Sequence, residues 1–128
     1  MYLLDTNACL DFLLFRSRQL VARLGEAFGH CSVSAITVAE LRVGSRASAD
    51  PVEDDRKLDL FLSALDVRSF DDNAALRYGK MMRDLAMKRT NFDRLIAAQA
   101  LSLGLVLVTS NTRHFADVPG LKVENWAA

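Results

Sequence analysis

The chain opens on a short apolar run, Tyr2-Leu3-Leu4, that meets a carboxylate at Asp5 and turns polar through Thr6 and Asn7. A run this short and apolar reads as a strand buried on both faces, the kind found inside parallel sheets. Apolar residues recur at Cys9, Leu10, Phe12, Leu13 and Leu14, predicting a short buried helix over 8–15. Leu20, Val21, Leu24 and Phe28 predict a second helix over 19–28, ended by Gly29. Residues 30–34, with Cys31 and Val33 inside, predict the second strand. A helix over 35–43 follows, closed by Gly44, with Ile36, Ala39, Glu40 and Val43 spaced as one core-facing stripe.

Polar residues and Pro51 predict a loop or the tip of a helical hairpin over 45–55, then a helix over 55–65 with Leu58, Phe61, Leu62 and Leu65 on one side. A third strand is expected over 67–70. Asp71, Asp72 and Asn73 then cap a long helix over 74–88. Its apolar positions are Leu76, Met81, Leu85 and Met87, and Arg77, Lys80, Asp84 and Lys88 form a charged face, solvated by default. Asn91 caps a helix over 92–103 that is apolar nearly all round and closed by Gly104. Residues 105–108 form a fourth strand running into Thr109-Ser110-Asn111, which repeats the opening arrangement of apolar strand and polar end. A short turn or helix over 112–115, a turn at Val118-Pro119-Gly120 and an edge strand over 121–124 complete the chain. Alternating strands and helices imply a parallel sheet with helices on both faces.

The length, 128 residues, sets one domain over 1–128. Half the residues are hydrophobic and a quarter charged, which supplies a core and argues against disorder. Lysine plus arginine equals aspartate plus glutamate at 16 each, so nucleic-acid binding must come from a local basic patch. Neutrality also favours association. No run reaches the ~18 apolar residues of a membrane span, and no signal-peptide pattern opens the chain. Cys9 and Cys31 fit no metal or redox spacing and read as small buried hydrophobes, so the expected compartment is the cytoplasm.

Three acids stand out against this frame. Asp5 ends the first strand, where open α/β sheets place their ligand crevice, although a helix cap is the alternative reading. Glu40 lies on its helix's apolar stripe, a costly place for an unpaired carboxylate. Asp93 shares a face with Ile96, Ala97 and Ala100. The ends of strands one and four meet at the switch point of such a sheet, which brings Asp5, Asp93 and Asn111 together with Glu40 close by. Carboxylates gathered in one crevice repel each other unless a cation neutralises them. All-oxygen donors select Mg²⁺ or Mn²⁺, and such a site suits phosphoryl chemistry. There is no Gly-rich phosphate loop and no Gly-x-Ser-x-Gly elbow. One alternative is a non-catalytic metal- or nucleotide-binding α/β module of receiver type. Against it, Asp11 lies too far along its helix to complete an acidic pair, and no lysine follows Val108. A structural protein whose acids are caps and surface charges is the third class.

Four stretches resemble the PIN-domain ribonucleases, and within them the VapC toxins of type II toxin–antitoxin systems. They are 3–7 (Leu-Leu-Asp-Thr-Asn), 37–44 (Thr-Val-Ala-Glu-Leu-Arg-Val-Gly), 93–98 (Asp-Arg-Leu-Ile-Ala-Ala) and 107–115 (Leu-Val-Thr-Ser-Asn-Thr-Arg-His-Phe). The tail over 118–126 is similar as well. The resemblance implies an α/β/α sandwich around a parallel sheet of about five strands. It also implies Mg²⁺-dependent RNA cleavage, with Mn²⁺ substituting, a homodimer, and inhibition by a cognate antitoxin. The family's acids fall on Asp5, Glu40 and Asp93. Two places depart from its pattern: a Gly-x-Pro-x-Gly run before the third acid is absent, and the fourth acid is replaced by Asn111, with His114 nearby. Asn111 is expected to reach the metal through water. Thr6, Asn7, Thr109 and His114 are expected to support the site. Lys88, Arg89, Arg94 and Arg113 are candidates for RNA phosphates, against the default of a solvated face. Leu58, Phe61 and Leu62 are candidates for an antitoxin groove, against ordinary core packing.

Overall fold

The computed structural model describes residues 1–46, 48–85 and 91–128. Its centre is β1 (Tyr2–Leu4), paired in parallel with β2 (Cys31–Ser34) on one side and β4 (Val106–Val108) on the other. Beyond these lie β3 (Asp66–Arg68) and β5 (Val123–Glu124), giving the parallel order β3-β2-β1-β4-β5. The chain steps outward from β1 through β2 to β3, then returns to the far side of β1 as β4. The switch point therefore falls between β1 and β4, as the strand–helix alternation implies.

Leu3 and Leu4 are both fully buried, one in each of two core clusters, because successive strand residues face opposite sides of the sheet. On one face Leu4, Val33 and Val108 meet α1 (Thr6–Leu13), α2 (Arg18–Ala27) and α4 (Pro51–Ser63) through Cys9, Leu20, Leu24 and Phe61. On the other, Leu3 and Leu107 meet α5 (Asp72–Asp84) and α6 (Phe92–Leu103) through Met81, Ile96, Ala97 and Ala100. The last helix, α3 (Ala35–Arg46), gives Leu41 to the first core and Ile36 to the edge of the second. This is the α/β/α sandwich. Cys9 and Cys31 are buried free thiols, as expected. Among the described residues no helix is long and apolar enough to cross a membrane.

Capping chemistry sets most helix starts. Asp5, Ser17, Asp50, Asp71 and Asn91 each accept a hydrogen bond from a backbone N–H in the first turn that follows. Gly104 ends α6 in the left-handed conformation (φ 66°), as its sequence position predicts. Gly120 (φ 78°) likewise sits in the expected turn over 118–120, whereas Gly29, Gly44 and Pro51 behave otherwise. Gly29 ends no helix in that way; α2 tightens into a 3-10 turn over Phe28–His30. Gly44 lies inside α3, which runs on to Arg46. Pro51 does not break a loop but opens α4, where its missing N–H has no intrahelical partner to lose.

Two helical faces also differ from the expected stripes. In α3 the buried residues are Thr37 and Leu41, while Ala39 and Val43 are exposed. A threonine takes the inward position because its hydroxyl finds Thr6 Oγ1 at 3.3 Å. In α5 Leu76 is exposed, and the inward face runs through Ala74, Tyr78, Met81 and Leu85. That helix, expected over 74–88, runs instead over Asp72–Asp84 and closes on Leu85, whose N–H donates to the Met81 carbonyl.

Candidate active site

Leu4 pairs with Val108, so Asp5 and Thr109 leave the sheet together at the switch point. The Asp5 backbone N–H donates to the Val108 carbonyl at 3.0 Å, which ties the two strand ends. Asp5 Oδ1 accepts the Ala8 N–H at 2.7 Å, so the residue that follows β1 at the switch point also caps α1. Its carboxylate is 2% exposed and also hydrogen-bonds the Thr109 side chain. Burial, followed by the charges of Asp93 and Asp11, raises its pKa to about 6 despite those hydrogen bonds.

Glu40 projects from α3 toward the same end. Its Oε1 accepts the Thr6 hydroxyl at 2.7 Å, and Thr6 also contacts Thr37. Asp93 stands in the first turn of α6, behind the Asn91 cap, with Oδ2 3.3 Å from His114 Nδ1. His114 rides on a 3-10 turn, Thr112–Phe115, anchored by the buried Phe115. Asn111 precedes that turn, and its N–H donates to Thr109 Oγ1 at 3.0 Å. Thr6, Thr109 and His114 thus each touch an acid or its neighbour. Asn7 does not; it is exposed in the first turn of α1.

The basic candidates separate. Arg94 is not free for a phosphate: both terminal nitrogens bond Asp117, at 2.9 and 3.2 Å, and its side chain is 11% exposed. Arg113 is exposed on the rim of a polar cavity of about 290 Å³ that also contains Asp93, Arg94, His114 and Asp117. Lys88 and Arg89 lie outside the described residues.

A second cavity, of about 350 Å³, has Thr6 and Glu40 in its wall together with Leu10, Leu13, Leu14, Leu41 and Leu58. Leu58 borders this apolar trough and Phe61 and Leu62 do not, yet all three are core, with Phe61 stacked on Phe12 at 5.2 Å between ring centres.

Three participants escaped the sequence reading. Asp11 is 8% exposed on α1 and adds to the charge felt by Asp5; a lone acid amid Cys9, Leu10, Phe12 and Leu13 was the available signal. Thr37 carried none. Asp117 meets Arg94 across 23 positions, and nothing local marks it.

Among the described residues no three His, Cys, Asp or Glu side chains converge tightly enough to cage a cation. The donors fit a looser arrangement. Mg²⁺ keeps several waters and needs only one or two carboxylates. A divalent cation held there would relieve the charge of a desolvated Asp5 beside Asp93.

The PIN-domain family model matches residues 2–121. The tRNA(fMet)-specific endonuclease VapC of Salmonella typhimurium is 34% identical over 98% of this chain and 97% of its own. The chain belongs to the PIN-domain family, in its VapC ribonuclease branch. Ribonuclease activity and a place in a toxin–antitoxin system come with that membership, and the receiver-type alternative falls. Ribonuclease VapC2 of Haemophilus influenzae is likewise 34% identical over 98% of this PIN chain and 97% of its own. The crystal structure of DNA-bound VapBC from Salmonella typhimurium superposes on this VapC fold with a TM-score of 0.91, at 32% identity, covering 98% of this chain and 97% of that one. PIN-domain ribonucleases are metal-dependent, in keeping with the all-oxygen donors at the β1–β4 switch point.

Proposed function

We propose that this chain is an endoribonuclease whose centre is Asp5, Asp93 and Glu40, served by Mg²⁺ with Mn²⁺ as a substitute. The observation that carries the reading is Asp5, a buried carboxylate at the end of the central strand whose pKa is raised to about 6 by burial and by neighbouring acids. A hard divalent cation bound there would polarise the phosphate and lower the pKa of the attacking water. Asp5 and Asp93 supply the negative charge. Thr6 fixes the Glu40 carboxylate, Thr109 steadies Asp5, and Asn111 acts through a water in place of a fourth acid. Arg113, exposed beside Asp93, is the described candidate for an RNA phosphate.

The name of the Salmonella relative makes tRNA(fMet) the first substrate to test. The apolar trough ending at Thr6 and Glu40 supports inhibition by an antitoxin segment that lies along Leu10, Leu13, Leu14 and Leu58 and covers the acids. A homodimer in the cytoplasm completes the reading. The test is incubation of the purified chain with tRNA(fMet) and with total RNA, with Mg²⁺, with Mn²⁺ and with chelator. Cleavage that requires metal and is lost in Asp5→Ala and Asp93→Ala is expected. Metal-independent cleavage, or full activity in both variants, overturns it.

A further inference from the structure

The 3-10 turn that carries His114 is held at three points. At its front, Thr109 Oγ1 accepts the Asn111 N–H at 3.0 Å. In its middle, Phe115 is 2% exposed and packs in the core with Leu3 and Ile96. Just behind it, Asp117 receives both terminal nitrogens of Arg94. Arg94 follows Asp93 directly in the first turn of α6. The ion pair therefore joins the element bearing Asp93 to the segment bearing His114, and it does so beside their 3.3 Å contact. Two features set it apart from an ordinary surface pair. The guanidinium is sheltered, 11% exposed against 54% for its partner, and the two-pronged geometry fixes orientation as well as distance. Arg94 also holds the Asp117 carboxyl below the usual carboxylate range, first through their hydrogen bonds.

We propose that Arg94 and Asp117 form a positioning clasp that closes the His114 turn against α6 and thereby sets the orientation of the Asp93 carboxylate. Neither residue touches RNA in this role. The inference rests on the acid centre proposed above. It assigns to Arg94 a task within the protein where its charge alone pointed to a phosphate, and it gives Asp117 a function.

The test uses the full chain with Asp117→Asn, Asp117→Glu, Arg94→Lys, His114→Ala and the Asp117→Asn/His114→Ala pair, and Asp5→Ala as control. Three quantities are read: kcat and KM on a cleavable RNA, the Mn²⁺ dissociation constant, and the His114 ring signals by NMR in metal-free protein. Asp117→Asn and Arg94→Lys are expected to lower kcat by about three- to tenfold with KM unchanged, as a small misplacement near reacting groups does. They are also expected to weaken Mn²⁺ binding and to move the His114 signals, and Asp117→Glu recovers most of each loss. Adding His114→Ala to Asp117→Asn costs nothing more, because both act through one contact. A rise in KM alone would make the pair an RNA contact and overturn the clasp. So would fully additive losses, or unmoved His114 signals. Inactive Asp5→Ala beside wild-type Asp117→Asn removes the clasp only; active Asp5→Ala removes the acid centre itself.

Discussion

Thr6 Oγ1 donates a 2.7 Å hydrogen bond to Glu40 Oε1, so the first residue of α1 holds a carboxylate that α3 carries 34 positions later. A hydrogen bond to a charged group is worth about 1.5–3 kcal/mol, enough to decide where the carboxylate spends its time. Thr6→Val keeps the shape and removes the donor. Its kcat should fall by about tenfold with KM little changed, and Thr6→Ser should restore it. Steady-state kinetics on a cleavable RNA decides this; equal rates in Thr6→Val and wild type would show that Glu40 needs no such support.

Asp5 makes stability depend on pH. Its pKa in the fold is about 6 against an ordinary 3.8, so the folded chain holds this proton more tightly than the unfolded one. Stability without metal is therefore greatest below 3.8 as far as this group is concerned, declines as pH rises through 6, and is level above. The span is worth roughly 3 kcal/mol at most. Asp5→Asn keeps an acceptor for the Ala8 N–H and removes the charge, so its metal-free melting temperature above pH ~7 should equal or exceed wild type while cleavage is lost. Thermal melts across pH test it, and a clear drop in the melting temperature of Asp5→Asn would count against the burial argument.

Metal affinity should track the same proton. In the proposed centre a metal ion would compete with it at Asp5, so Mn²⁺ binding is expected to weaken as pH falls through about 6. Asn111→Asp adds a charge near the centre and should tighten Mn²⁺ binding. Asn111→Ala should reduce activity by less than Asp5→Ala does. Titration calorimetry with Mn²⁺ reads the two affinities and cleavage rates the third, and unchanged affinity in Asn111→Asp would exclude Asn111 from the metal's surroundings.

Leu14 offers a way to separate activity from control. It lines the apolar trough yet is 58% exposed, so Leu14→Asp should leave the fold and the acids intact. Cleavage by the free protein is expected to be unchanged, while its cognate antitoxin neutralises it at least about tenfold less well, the effect of a charge in an apolar contact. Inhibition titrations against the antitoxin measure this. Undiminished inhibition would place the antitoxin elsewhere.

The parts of the fold legible in the sequence were those with local causes. The bounds of α6 follow from Asn91 and Gly104, and the neighbourhood of β1 and β4 follows from the alternation of elements. The misplaced features depend on distant partners. Thr37 faces inward because Thr6 meets it across 31 positions, which shifts the buried face of α3 off the apolar stripe. Arg94 looked free until Asp117 came within reach. In α4 periodicity found the inward side, where Leu58, Phe61 and Leu62 are all core, yet it has no means to tell that Leu58 alone of the three also borders the trough. For the candidate centre, both the strand-end position of Asp5 and its cap were readable; that one carboxylate caps α1 while buried beside Thr109 was visible only in three dimensions.

The central place of β1 has a consequence for how the protein is made. Its neighbour β4 is encoded about a hundred residues later, and the Asp5 crevice exists only when the two strands lie side by side. At roughly 5–20 residues per second, a ribosome emits Asp5 some 5–20 s before Val108. For that interval the growing polypeptide has its first acid but neither the wall that desolvates it nor the Asp93 helix in place. Products of interrupted translation that stop before β4 therefore lack the strand that Asp5 is tied to, and the centre proposed above cannot assemble in them.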